Sequence, residues 1–156
     1  MLEVVVGVLV GVPIALAVRV GLVLHARRMA LLRWHRAQFF EHAEALLGAG
    51  GSDDAALLRL KTMAEDIDRP AQFDVLWSVV RELARQPEAG TPGGEGFANP
   101  EWIALNFHYF LAVSYLRGLR GLLLRSTILR LFEPGTGGRN ADLISRRVHP
   151  GRWQPA

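Results

Sequence analysis

The sequence predicts an all-α fold in which one N-terminal transmembrane helix continues into a small cytoplasmic helical bundle. Three observations carry that expectation. Residues Leu2 to Leu24 form a nearly unbroken apolar run, LEVVVGVLVGVPIALAVRVGLVL, interrupted only by Glu3 and Arg19. The segments that follow repeat apolar residues at helical spacing. Two of those segments open on helix-starting residues, Ser52-Asp53-Asp54 and Asn99-Pro100-Glu101.

Composition sets the bounds. A chain of 156 residues is one domain, or one domain and an anchor. Half the residues are apolar, and without the first two dozen the remainder has the makeup of an ordinary helical domain with one small core. Cysteine is absent, which excludes a disulfide scaffold, thiolate zinc and iron–sulfur sites and a cysteine nucleophile. The net charge of +3 conceals an alternation. Arg19, Arg27, Arg28, Arg33 and Arg36 form a basic stretch without an acid, residues 48–98 are acidic, and 99–132 are basic again. A nucleic-acid binder more often carries one sustained basic face, so no nucleic-acid partner is expected.

The first element is read as a membrane anchor over residues 1–26. The apolar run exceeds the ~20 residues that a ~30 Å hydrocarbon core requires. Ala15-Leu16-Ala17 has the form of a signal-peptidase site, but Met-Leu-Glu lacks the positive charge of a signal peptide's start. Arg19, Arg27, Arg28 and Trp34 are the expected interfacial residues. By the positive-inside rule the N-terminus lies outside and the C-terminal domain in the cytoplasm. Only one of the 18 basic residues is a lysine, a bias that suits a GC-rich bacterial genome and hence a bacterial inner membrane. Gly7 and Gly11 form a GxxxG that Ala15 extends, a small-residue stripe where a second membrane helix can approach closely. Pro13 is expected to kink the helix.

The body is read as a helical domain over 27–132. No breaker follows the run, so the first helix is expected to continue over 27–47, with Met29, Leu32, Phe39, Ala43 and Leu46 as its packing stripe. A second helix over 53–67 presents Leu57, Leu60, Ala64 and Ile67, and a third over 70–86 presents Phe73, Leu76, Trp77, Val80 and Leu83. Residues 87–98, PEAGTPGGEGFA, are a link. Asn99 as N-cap, Pro100 at the first position and Glu101 behind it then start a fourth helix, read as continuous over 99–132. Its first half, Trp102 to Leu116, carries no charge but is short for a second span and contains Asn106, His108 and Ser114. It is read as a buried helix or one lying partly in the membrane interface. Residues 133–156 are read as a flexible basic tail, with one short turn at 140–148.

No catalytic signature is present. There is no G-x-S-x-G and no glycine-rich loop followed by lysine. His35 and His42 share a helix face but lack the i, i+4 spacing of a metal pair, and read as ordinary helix residues. His108, in the aromatic stretch Asn106-Phe107-His108-Tyr109-Phe110, is the one histidine with the setting of an axial ligand, although no cofactor is expected. Arg117, Arg120 and Arg125 are read as partner contacts. The expected function is therefore non-catalytic: an accessory, assembly or scaffold subunit of a larger inner-membrane complex. Its partners would be integral membrane proteins, with anionic lipid as a further one. The alternatives are an electron-transfer or pigment subunit using His108, and a peripheral anionic-lipid-binding protein.

Overall fold

A computed structural model describes residues 2–48, 54–85, 99–133 and 136–149, without the side chains of 2–8 and 10. The described residues form six helices and no strand: α1 (Leu2–Gly48), α2 (Asp54–Asp66), α3 (Pro70–Arg85), α4 (Pro100–Ser114), α5 (Gly118–Leu131) and α6 (Gly137–Val148). The chain is all-α.

α1 has 47 residues, about 70 Å at the helical rise. Pro13 lies within it. Its two halves behave differently. From Leu32 onward, Leu32, His35, Phe39, Ala43 and Leu46 turn toward the body, where Phe39 is fully buried. Before Arg28 no described side chain is buried, and Val12, Ile14, Leu16, Val18, Leu22 and Leu24 all stand exposed. Among the described residues no helix is long and apolar enough to cross a membrane. From Gly11 to Leu24, where the described apolar run lies, the helix rises about 21 Å, with Arg19 in its path. The expected transmembrane segment over 1–26 begins in residues whose side chains lie outside the described ones.

α4 is the centre of the body. Leu105, Tyr109, Phe110, Ala112 and Val113 are fully buried, and α1, α3, α5 and α6 all pack against it. That placement accounts for a helix apolar almost all round: after Pro100 none of its residues is fully exposed. Asn99 caps it by accepting from the Glu101 backbone N–H at 2.8 Å, with Pro100 at the first position. α3 contributes Phe73, Leu76, Val80 and Leu83, and α2 contributes Leu60 and Met63, with Ile67 just after it. Ser52 and Asp53, read as the start of α2, lie outside the described residues, as does the link over 87–98.

Two expectations are corrected. The helix expected over 99–132 is two helices, broken at Tyr115–Arg117. Arg117 is extended (φ −119°, ψ 135°), so the chain turns there before α5 begins. The turn lets Leu124 and Ile128 fold back onto the core, and Phe132 meets Phe107 and Phe110 at ring-centroid distances of 5.2 and 5.9 Å. A straight helix would have carried those side chains away from the body. The tail read as loose contains α6 in place of a short turn. Ala141, Ile144 and Val148, spaced three and four apart, are buried. Asn140 Nδ2 donates to the Leu131 carbonyl at 2.6 Å, and Arg147 pairs with Glu82 at 3.1 Å. Truncating Val148 to Ala should therefore lower stability by about 1–2 kcal/mol in a denaturant melt; a loose tail would leave the midpoint unchanged.

Candidate functional site

The polar residues gather along the seam between α1 and α4, which run antiparallel. Three positions seven apart on α1, Arg28, His35 and His42, face three positions seven apart on α4 and its end, Tyr115, His108 and Glu101. Arg28 Nε and Nη2 donate to the carbonyls of Tyr115 and Leu116 at 2.6 and 2.8 Å. These carbonyls lie at the C-terminal end of α4, where a helix leaves acceptors unsatisfied and carries partial negative charge, so the guanidinium acts as its cap. His35 Nδ1 lies 2.9 Å from His108 Nδ1, and one of the two nitrogens donates its proton to the other. His42 Nδ1 donates to the Glu101 carboxylate at 2.7 Å. Glu101 thus serves both the start of α4 and the seam.

The rings make one cluster. His42 lies on His108 at 5.5 Å, His35 lies on Tyr115 at 5.5 Å, and Trp34 meets His35 and His108 edge-on at 4.6 and 5.4 Å. The Arg125 guanidinium sits over the Tyr115 ring at 4.0 Å, with Nη1 buried and without a hydrogen-bond partner. Burial and the neighbouring His108 and Arg125 hold His35 down at about 4. Burial and His42 push His108 below its ordinary value, with Glu41 acting the other way. Both imidazoles are therefore neutral at pH 7. Across the body, burial lowers Arg59 to about 9, although its guanidinium stays charged at neutral pH. It bonds Ser145 at 3.0 Å and covers Trp102 at 4.7 Å, tying α2 to α6 and α4.

This arrangement gathers residues that the sequence places apart. His108, the suggested axial ligand, is joined to two other imidazoles instead of standing alone. Among the described residues no group of three histidine, aspartate or glutamate side chains is arranged to hold a metal ion. Sequence reasoning missed His35, His42, Glu101 and Tyr115 as a group. The signal was there as two seven-residue series, but it has meaning only once α1 and α4 are known to pair.

The other expected site residues separate into two groups. Gly11, Ala15, Arg19 and Arg27 lie on the unpacked half of α1, and a side chain added at Gly11 would meet nothing within 4 Å. The surroundings of Gly7 lie outside what is described. Trp34 is half-exposed at the seam, and Arg28 is turned inward onto α4. Arg120 is exposed, Arg117 pairs with Asp74 at 3.3 Å, and Arg125 is held against Tyr115 within the fold.

Comparison with protein-family models, with curated proteins and with solved structures finds no match for this chain.

Proposed function

We propose that this protein is a non-catalytic, single-pass membrane protein, an accessory or scaffold subunit whose helical body is held at the inner face of a bacterial cell membrane. The observation that supports the reading is the bare first half of α1. Leu9, Val12, Ile14, Leu16, Val18, Val20 and Leu22 to Leu24 are all exposed, and none of them packs on the body. A water-soluble domain rarely leaves so large a contiguous apolar surface uncovered. The sequence extends that surface back to Leu2, which brings the run to the length a bilayer core requires. The basic residues from Arg27 to Arg36 favour an inner-face body.

Gly7, Gly11 and Ala15 then face a second membrane helix, and the exposed Arg120 offers the body a further contact on the cytoplasmic side. Gly11 is a clean test because the chain itself makes no use of the space beside it. Gly11→Leu with Ala15→Leu should leave the melting temperature of the body unchanged and reduce recovery of companion proteins in mild detergent at least several-fold. Full-length chain recovered in the supernatant after high-speed centrifugation without detergent would refute the anchor. Unchanged co-purification of the double variant would refute the small-residue contact.

A further inference from the structure

The start of α5 is level with the inner end of the apolar half of α1. Arg28 sets that level: it comes one helical turn after Leu24 and holds the carbonyls of Tyr115 and Leu116, directly before the Arg117 corner. From this corner α5 buries Gly121, Leu124 and Ile128 and turns Leu119, Leu122 and Leu123 outward. Leu119 is 82% exposed, more than any other large apolar side chain described. Farther along, the outward face carries Ser126 and Arg130 as well as Leu129. The bare leucines are thus densest at the end nearest the apolar half of α1. Arg27, next to Arg28, and Arg120, three residues past the corner, are both exposed, and α5 contains no acidic residue. Leucine on one side and arginine at its margin is the combination by which a helix lies in the boundary between headgroups and acyl chains.

We propose that the α4–α5 corner docks on an anionic leaflet, with Leu119, Leu122 and Leu123 entering the acyl boundary and Arg27 and Arg120 meeting lipid phosphates. The proposal rests on the membrane-anchor reading and adds to it a second contact, which sets how the body is turned against the bilayer. Two contacts at one level define an orientation; an anchor alone leaves the body free to swing. The positive charge at the corner selects an anionic surface over a zwitterionic one.

The chain lacks cysteine, so a single polarity-sensitive fluorophore can be placed at will. Full-length protein labelled through Val18→Cys, Leu122→Cys or Ser78→Cys is reconstituted into phosphatidylcholine vesicles with or without phosphatidylglycerol. Brominated lipids then report immersion. The expected result is strong quenching at 18 in both vesicles, quenching at 122 that rises with phosphatidylglycerol, and none at 78, an exposed position on α3. Arg120→Gln should reduce the immersed fraction at 122 roughly fivefold while leaving 18 unchanged. Quenching at 18 with a probe at 122 in water overturns the docking surface and leaves the anchor standing. A probe at 18 in water overturns the anchor, and this proposal with it. Quenching at 122 that ignores phosphatidylglycerol overturns the anionic assignment. A blue-shifted probe at 122 that bromolipids do not quench assigns the corner to a protein and overturns it as well.

Discussion

Gly121→Val will unseat the α4–α5 corner and lower stability by about 3 kcal/mol, the upper range for forcing atoms into a packed site. A Cβ at this position runs directly into the carbonyl oxygen of Ser114. Backbone on both sides must then move, and neither side can do so freely. Ser114 is fully buried with its hydroxyl donating to the Leu111 carbonyl at 2.6 Å, and the next two carbonyls are held by Arg28. On the other side Leu124 and Ile128 are fully buried in the core. Gly121→Ala should show the same sign with a smaller loss, because the better helix propensity of alanine offsets up to about 1 kcal/mol of it. Gly118→Ala is the control, since nothing lies within 4 Å of the added atom, and its melting temperature should equal the parent's or rise slightly. Thermal unfolding in detergent, followed by circular dichroism, separates the three. A Gly121→Ala variant as stable as the parent would show that α4 and α5 do not cross this closely.

The sequence made α1, α3 and the start of α4 legible because each carries a local signal. The stripe of Leu32, Phe39, Ala43 and Leu46, the proline at the start of α3 and the Asn99 cap all act within a turn or two of themselves. The break between α4 and α5 has no such signal: Leu116-Arg117-Gly118-Leu119 reads as helix, and what ends α4 is a guanidinium 87 residues away in sequence. α6 was hidden for a related reason. Its buried apolar set is only Ala141, Ile144 and Val148, beside buried Asp142 and Ser145, too sparse to stand out among arginines and asparagine until the core it covers is known. The same limit applies to the seam. Arg28, His35 and His42 form one seven-residue series, and Glu101, His108 and Tyr115 another. Each looks incidental in its own helix; polar partners at a buried seam acquire meaning only from the antiparallel pairing. Local rules therefore located α1, α3 and the start of α4, and the contacts that reveal the α4–α5 break, α6 and the seam are long-range.

Acid should loosen that seam before it titrates the carboxylates. The sign follows from His35, which sits at about 4 in the fold against 6.5 in the unfolded chain. Above pH 6.5 both states hold the imidazole neutral, and its contribution to stability is complete. As pH falls below 6.5 the unfolded chain takes up a proton that the fold resists, so stability drops, and the loss is complete once pH is below about 4. From pH 7.5 to pH 5 this amounts to about 2 kcal/mol for the one group. His108 is lowered as well and adds to the loss in the same direction. The groups facing the pair are His42, Glu41 and Arg28 on α1, Tyr115 and Glu101 at the two ends of α4, and Arg125 on α5. Protonating both rings would set two N–H groups against each other at 2.9 Å, with the Arg125 cation adding to the repulsion on His35. Urea midpoints measured at pH 7.5, 6 and 5 test this directly. The parent should lose most of its acid-sensitive stability over that range, and a His35→Phe, His108→Leu double variant should titrate nearly flat until the carboxylates begin to protonate. A parent curve flat between pH 7.5 and 5 would mean that the two imidazoles are hydrated and the α1–α4 seam is open to water.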